Sequence, residues 1–117
     1  YEFFNKHPVN EYPEILVNGT CYHYTEIGEK SVHKGIDVYV FDLRAPMASL
    51  ESIKNKIINS SDDDADFKLT SDAQNKTISG INGVYDQQGM KYVFCYIKDG
   101  KFIFIEADDD NIFEEML

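Results

Sequence analysis

The side chains able to do chemistry in this 117-residue chain are three His, two Cys and 21 acidic residues. His7, His23 and His33 lie in different local settings, and none falls in the HExxH or Cys/His spacing that surrounds zinc. Cys21 and Cys95 form no CxxC pair. The flanks of Cys95, Val-Phe and Tyr-Ile, predict a buried thiol, a poor nucleophile because it is held protonated. In an oxidising compartment Cys21 and Cys95 are the candidate disulfide pair. No GxSxG elbow, GxxxxGK phosphate loop or GxGxxG dinucleotide loop is found.

The densest ligand-like run is Asp62-Asp63-Asp64-Ala65-Asp66, in which Asp62, Asp64 and Asp66 occupy positions 1, 3 and 5 of a calcium loop. The pattern then breaks. Phe67 stands where the loop needs Gly for its sharp turn, and Ala73 where a bidentate Glu closes the coordination shell. A solvated loop is the expectation, with those three Asp as weak calcium candidates. Asp108-Asp109-Asp110 precedes a helical pattern and is explained by capping and the helix dipole. The acids are spread through loops and identify no pair facing across a cleft, so neither an enzyme nor a cofactor is expected. Three Asn-x-Ser/Thr sequons, at Asn18, Asn59 and Asn75, carry meaning only in a eukaryotic secretory pathway.

Eleven basic residues against 21 acidic ones give a net charge of −10. The bases are scattered, which disfavours binding to nucleic acid or to an anionic membrane. No apolar run approaches the ~20 residues of a membrane-spanning helix. The chain begins at Tyr1 rather than Met, so a trimmed or processed N-terminus is expected.

The elements that must position these groups follow from turn signals and periodicity. Residues 1–14 read as an extended lead-in and 15–117 as a single domain. Asn18-Gly19 reads as a turn before a strand over 20–27, and 36–43 (IDVYVFDL) as a strand rich in Val, Tyr and Phe. Leu50, Ile53 and Ile57 recur at helical spacing and predict a helix over about 48–59. Phe67 to Thr70 is a further strand candidate, and 77–87 (TISGINGVYDQ) reads as strand broken at Gly80 and Gly83. Residues 90–97 and 101–107 flank Lys98-Asp99-Gly100 as a hairpin, and 111–117 opens a short helix.

Two hairpin registers are open. With Asp99-Gly100 as a two-residue turn, both sheet faces mix aromatic and aliphatic residues. With a three-residue loop, Tyr92, Phe94, Tyr96, Phe102 and Phe104 share one face, and Val93, Cys95, Ile97, Ile103 and Ile105 the other. The second arrangement gives Leu50, Ile53 and Ile57 an aliphatic surface to cover, and is favoured for that reason. Tyr22, Tyr24, Tyr39, Tyr92, Phe94 and Tyr96 are either a recognition surface or core.

The stretch Tyr12-Pro13-Glu14-Ile15-Leu16-Val17-Asn18-Gly19-Thr20-Cys21-Tyr22 resembles the opening of small PsbP-like lipoproteins and uncharacterised extracytoplasmic domains of Gram-positive bacteria. Residues 77–85 resemble the strand before their final hairpin, and 98–102 with Phe113 their closing hairpin and helix. The resemblance implies a membrane-tethered or secreted binding module with no shared catalytic set. The expected architecture is α+β: an antiparallel sheet of about five strands, one helix on a face and a short C-terminal helix. The expected function is non-enzymatic binding of a protein or cell-envelope component. The alternative is a cytoplasmic, acidic immunity-type protein that blocks a basic toxin or nuclease.

Overall fold

The computed structural model describes residues 2–10, 12–25, 35–45, 47–60 and 68–117. The calcium candidates Asp62, Asp64 and Asp66, together with His33, lie outside the described residues. The elements are β1 (Glu2–Pro8), β2 (Leu16–Thr25), β3 (Gly35–Leu43), α1 (Leu50–Ser60), β4 (Gln74–Ile78), β5 (Ile81–Gln88), β6 (Lys91–Lys98), β7 (Lys101–Ala107) and α2 (Asn111–Met116). All the strands belong to one antiparallel sheet in the order β1-β2-β3-β7-β6-β5-β4.

This corrects the expected α+β architecture of about five strands: the described residues are mostly β, a seven-stranded sheet carrying two small helices. The two additional strands bury almost nothing, so hydrophobic periodicity could not announce them. Every residue of β1 is exposed, and in β4 only Ile78 is buried. Ser79 (φ 51°) and Gly80 (φ 80°) make the turn joining β4 to β5, which splits the 77–87 stretch into two paired strands. Asn18-Gly19 also differs from its reading. It lies inside β2, where the register against β3 slips between Val17 and Thr20, and Asn18 adopts φ 56°.

The closing hairpin takes the two-residue turn. Asp99 and Gly100 both have positive φ (54° and 77°), as a type I′ turn requires, and Lys98 pairs with Lys101. The bulged register is thereby overturned, and each face mixes rings with aliphatic groups. One cross-strand row runs Cys21–Tyr39–Phe104–Cys95–Val84. These residues share a core with Ile53 and Ile57 of α1, and with Phe41, Phe102 and Leu69. The row on the reverse face runs Tyr22–Val38–Ile105–Phe94–Tyr85. There α2 seats Ile112 and Phe113, whose ring lies 5.9 Å from Phe94 and 6.4 Å from Tyr85.

Helix α1 starts where Ser49 caps it: the Ser49 hydroxyl accepts the Ser52 N–H at 3.1 Å. Its buried stripe is Ile53 and Ile57, each contributing about 1.5–3 kcal/mol of burial. Rings from β3 and β7 receive that stripe in place of the aliphatic surface expected from sequence.

Candidate functional site

Two surfaces could engage something outside the chain, one on each face of the sheet. The first is polar. Two residues along from the Cys21–Tyr39–Phe104 row, the same face carries His23, Asp37 and Glu106 as direct cross-strand neighbours. His23 Nδ1 donates to Asp37 Oδ1, and the edge-on ring of Phe4 lies 5.7 Å from the imidazole. Lys91 Nζ donates to Glu106 Oε1 at 2.8 Å, and the Asp108 carboxylate accepts the Gly35 N–H at 3.1 Å. A Cβ at Gly35 would stand 2.4 Å from the Tyr24 carbonyl oxygen and 3.1 Å from His23 Cε1, so glycine allows β3 to approach β2 beside the imidazole.

An imidazole oriented by a carboxylate is the arrangement of a general base. Here the imidazole and the ammonium are each paired within the row, His23 with Asp37 and Lys91 with Glu106. The cavity bordered by His23, Asp37, Lys91, Glu106 and Asp108 measures about 30 Å³, the room of a single water. Among the described residues, no three His, Cys, Asp or Glu side chains are grouped to hold a metal ion.

The Glu106 hydrogen bond holds the Lys91 ammonium above the ordinary lysine range, partly offset by burial. A raised folded-state value means the stabilisation is complete below the unfolded lysine value and fades as pH rises through the folded one. Unfolding midpoints followed upward from about pH 10 should therefore fall more steeply for the wild type than for Lys91→Met. Parallel curves would remove the pair from the stability of the sheet.

The other residues singled out from sequence are dispersed. Cys21 and Cys95 are both buried and outside any disulfide, on β2 and β6, with β3 and β7 between them. Three strand spacings of ~4.8 Å put the two well beyond the ~7 Å between Cα atoms that a disulfide spans, so the candidate bridge is corrected to two separate core thiols. Burial pushes the Cys95 thiol upward, which keeps it protonated and unreactive. His7 is exposed on β1. Asn18 donates to Asp42, Asn59 lies in α1 and Asn75 on β4. Asp109 accepts the Asn111 N–H at 3.0 Å as α2 begins.

The second surface lies on the reverse face. Of the aromatic set, Tyr39 belongs to the core under α1, whereas Tyr22, Tyr24, Tyr92, Phe94 and Tyr96 belong with the reverse face. Helix α2 stands over the β5–β6 end through Phe113. Toward β1 the face holds Tyr22, Tyr24, Val38, Val40 and Ile103, all half-buried, and Phe3, 54% exposed with its ring 5.8 Å from Tyr24. Tyr24, Val38 and Ile103 pack at the edge of the cluster that α2 caps, and with Tyr22 and Val40 they keep part of their surface exposed.

Sequence reasoning found the tyrosines but missed both assemblies. His23 and Asp37 stand fourteen positions apart in the chain, and only the β2–β3 register brings them together. Their alternation within two recognisable strands gave the side of each strand they occupy, but not which residue they face.

No protein-family model matches the chain, and no curated protein matches it. Among solved structures, the crystal structure of a GTP binding regulator from Thermotoga maritima is similar, with a TM-score of 0.56 over 97% of this chain and 71% of that one. The two are 10% identical in sequence, so the likeness is one of fold.

Proposed function

We propose that this chain is a non-enzymatic binding module working outside the cytoplasm, and that it engages a protein or cell-envelope component through the reverse face of its sheet. One observation carries the reading. Tyr22, Tyr24, Val38, Val40 and Ile103 form a continuous half-buried apolar floor on β2, β3 and β7, while α1 packs on the opposite face of the sheet. Tyrosines rimming an aliphatic patch suit recognition, because each ring supplies contact area and its hydroxyl keeps a hydrogen-bonding tip in water. The polar row supports the same reading, since its side chains are bonded to one another around a water-sized space. The extracytoplasmic address rests on the resemblance of residues 12–22 to PsbP-like lipoproteins.

A photoreactive residue placed at Val40 tests the reading against one placed at Glu51, exposed on α1. Cross-linking in envelope extracts should yield a discrete adduct from Val40 and none from Glu51. Equal labelling at both positions, or none from Val40, would remove the reverse face as the binding surface.

A further inference from the structure

Resting on that reading, we infer that the occupant of the reverse face is a single amphipathic α-helix of a partner protein, apolar toward the sheet and basic toward solvent. Size is the first argument. The open floor spans β1, β2, β3 and Ile103 of β7, since Ile36, Ile105 and Ala107 in the same three rows are buried; at ~4.8 Å between strands and ~6.8 Å between rows, the remaining positions make about 300 Å². A stable pair of subunits needs ~800 Å² from each side, more than twice what one such face supplies. A helix ~10–12 Å across and ~20 Å long fills the floor with about 14 residues.

The reverse side of the sheet supplies the second argument. There the 11-residue helix α1 covers the sheet by setting Ile53 and Ile57, one turn apart, onto rings of β3 and β7. The open floor presents the same strands with Val38, Val40 and Ile103 beside Tyr22 and Tyr24, a mixed ring and aliphatic surface of the same kind.

Charge gives the sign. The chain carries −10 overall, and Asp108, Asp109, Asp110, Glu114 and Glu115 are all exposed on the segment that follows β7 and forms α2. Of the lysines on this face, Lys101, at the end of the floor, is already bonded to Asp42, and Lys6 stands exposed on the edge strand β1 opposite Tyr22. A helix with Lys or Arg on its outer side is attracted to this surface, and one with Glu is repelled.

The probe is a labelled Leu/Lys amphipathic peptide of about 16 residues, ~24 Å long as a helix. Its counterpart has the same apolar positions and Glu in place of Lys. Anisotropy against the full chain at about 0.15 M salt, where screening acts beyond ~8 Å, should show saturable binding of the Lys peptide and none of the Glu peptide. Ile103→Lys should weaken it about tenfold, and the milder Val40→Thr should weaken it measurably while leaving the melting temperature near wild type. Glu51→Gln, on α1, should leave it unchanged.

Absence of saturable binding, or equal weakening by all three variants, overturns the inference. Association with phosphatidylcholine vesicles or self-association in sedimentation, blocked by Ile103→Lys in the absence of peptide binding, also overturns the helix while leaving the binding face standing. A Val40 photoprobe that yields no adduct overturns the face itself, and the helix with it.

Discussion

Phe104→Ala should cost about 3–5 kcal/mol of folding stability, a large share of the ~5–15 kcal/mol available to a domain of this size. Phe104 is fully buried at the centre of β7 and lies opposite Tyr39 on one side and Cys95 on the other. Its ring meets Tyr39 nearly edge-on at 5.7 Å and Phe102 at 6.5 Å. Removing it empties space beneath α1 that β3 and β6 cannot close without breaking their hydrogen-bonded register. Phe104→Leu refills most of the volume and should cost under about 1.5 kcal/mol. Urea unfolding of the three proteins checks this; a loss below about 1 kcal/mol for the alanine variant would show that the core relaxes around the gap.

Asp86→Ala should be the second large effect, on the order of 3 kcal/mol. Asp86 is 2% exposed on β5. Its carboxylate accepts the Thr70 N–H at 2.7 Å, the Thr70 hydroxyl at 2.9 Å and the Gln88 amide at 3.0 Å. The same Gln88 amide donates to the Lys68 carbonyl at 2.6 Å. Together these bonds strap residues 68–70 to β5 and press Leu69 into the core. Alanine leaves the Thr70 N–H without its acceptor. Asp86→Asn keeps the shape but turns an N–H₂ toward a donor, and should fall between the two. Equilibrium unfolding measures the loss, and hydrogen exchange at the Thr70 amide should quicken in both variants. Unchanged exchange would detach Asp86 from the strap.

What could be read from the sequence tracks how much each element buries. Helix α1, strand β7 and the position of the closing hairpin were legible because Ile53 and Ile57, the alternation of 101–107 and the Lys98-Asp99-Gly100 run each leave a local signature. Strand β1 left none, since a strand exposed on both faces has no hydrophobic period. The closing hairpin shows a different limit. Both registers satisfied the local pattern, and favouring an aliphatic bed for α1 selected the wrong one; Phe41, Phe102 and Phe104 fill that bed with rings. The polar row was out of reach for the same reason as the Asp86 strap. Each joins residues from different elements, and no local rule states which side chains a register will set side by side.

The strand order has a kinetic corollary. Strands β1–β3 form one up-and-down ladder and β4–β7 another, and the sheet joins them at the single seam where β3 meets β7. Each ladder closes over short separations, whereas the seam waits on a loop closure spanning α1, so it carries most of the entropic toll of assembly. The pairs Tyr39–Phe104 and Phe41–Phe102 are thus among the sheet's contacts of greatest sequence separation, and α1 packs across that join.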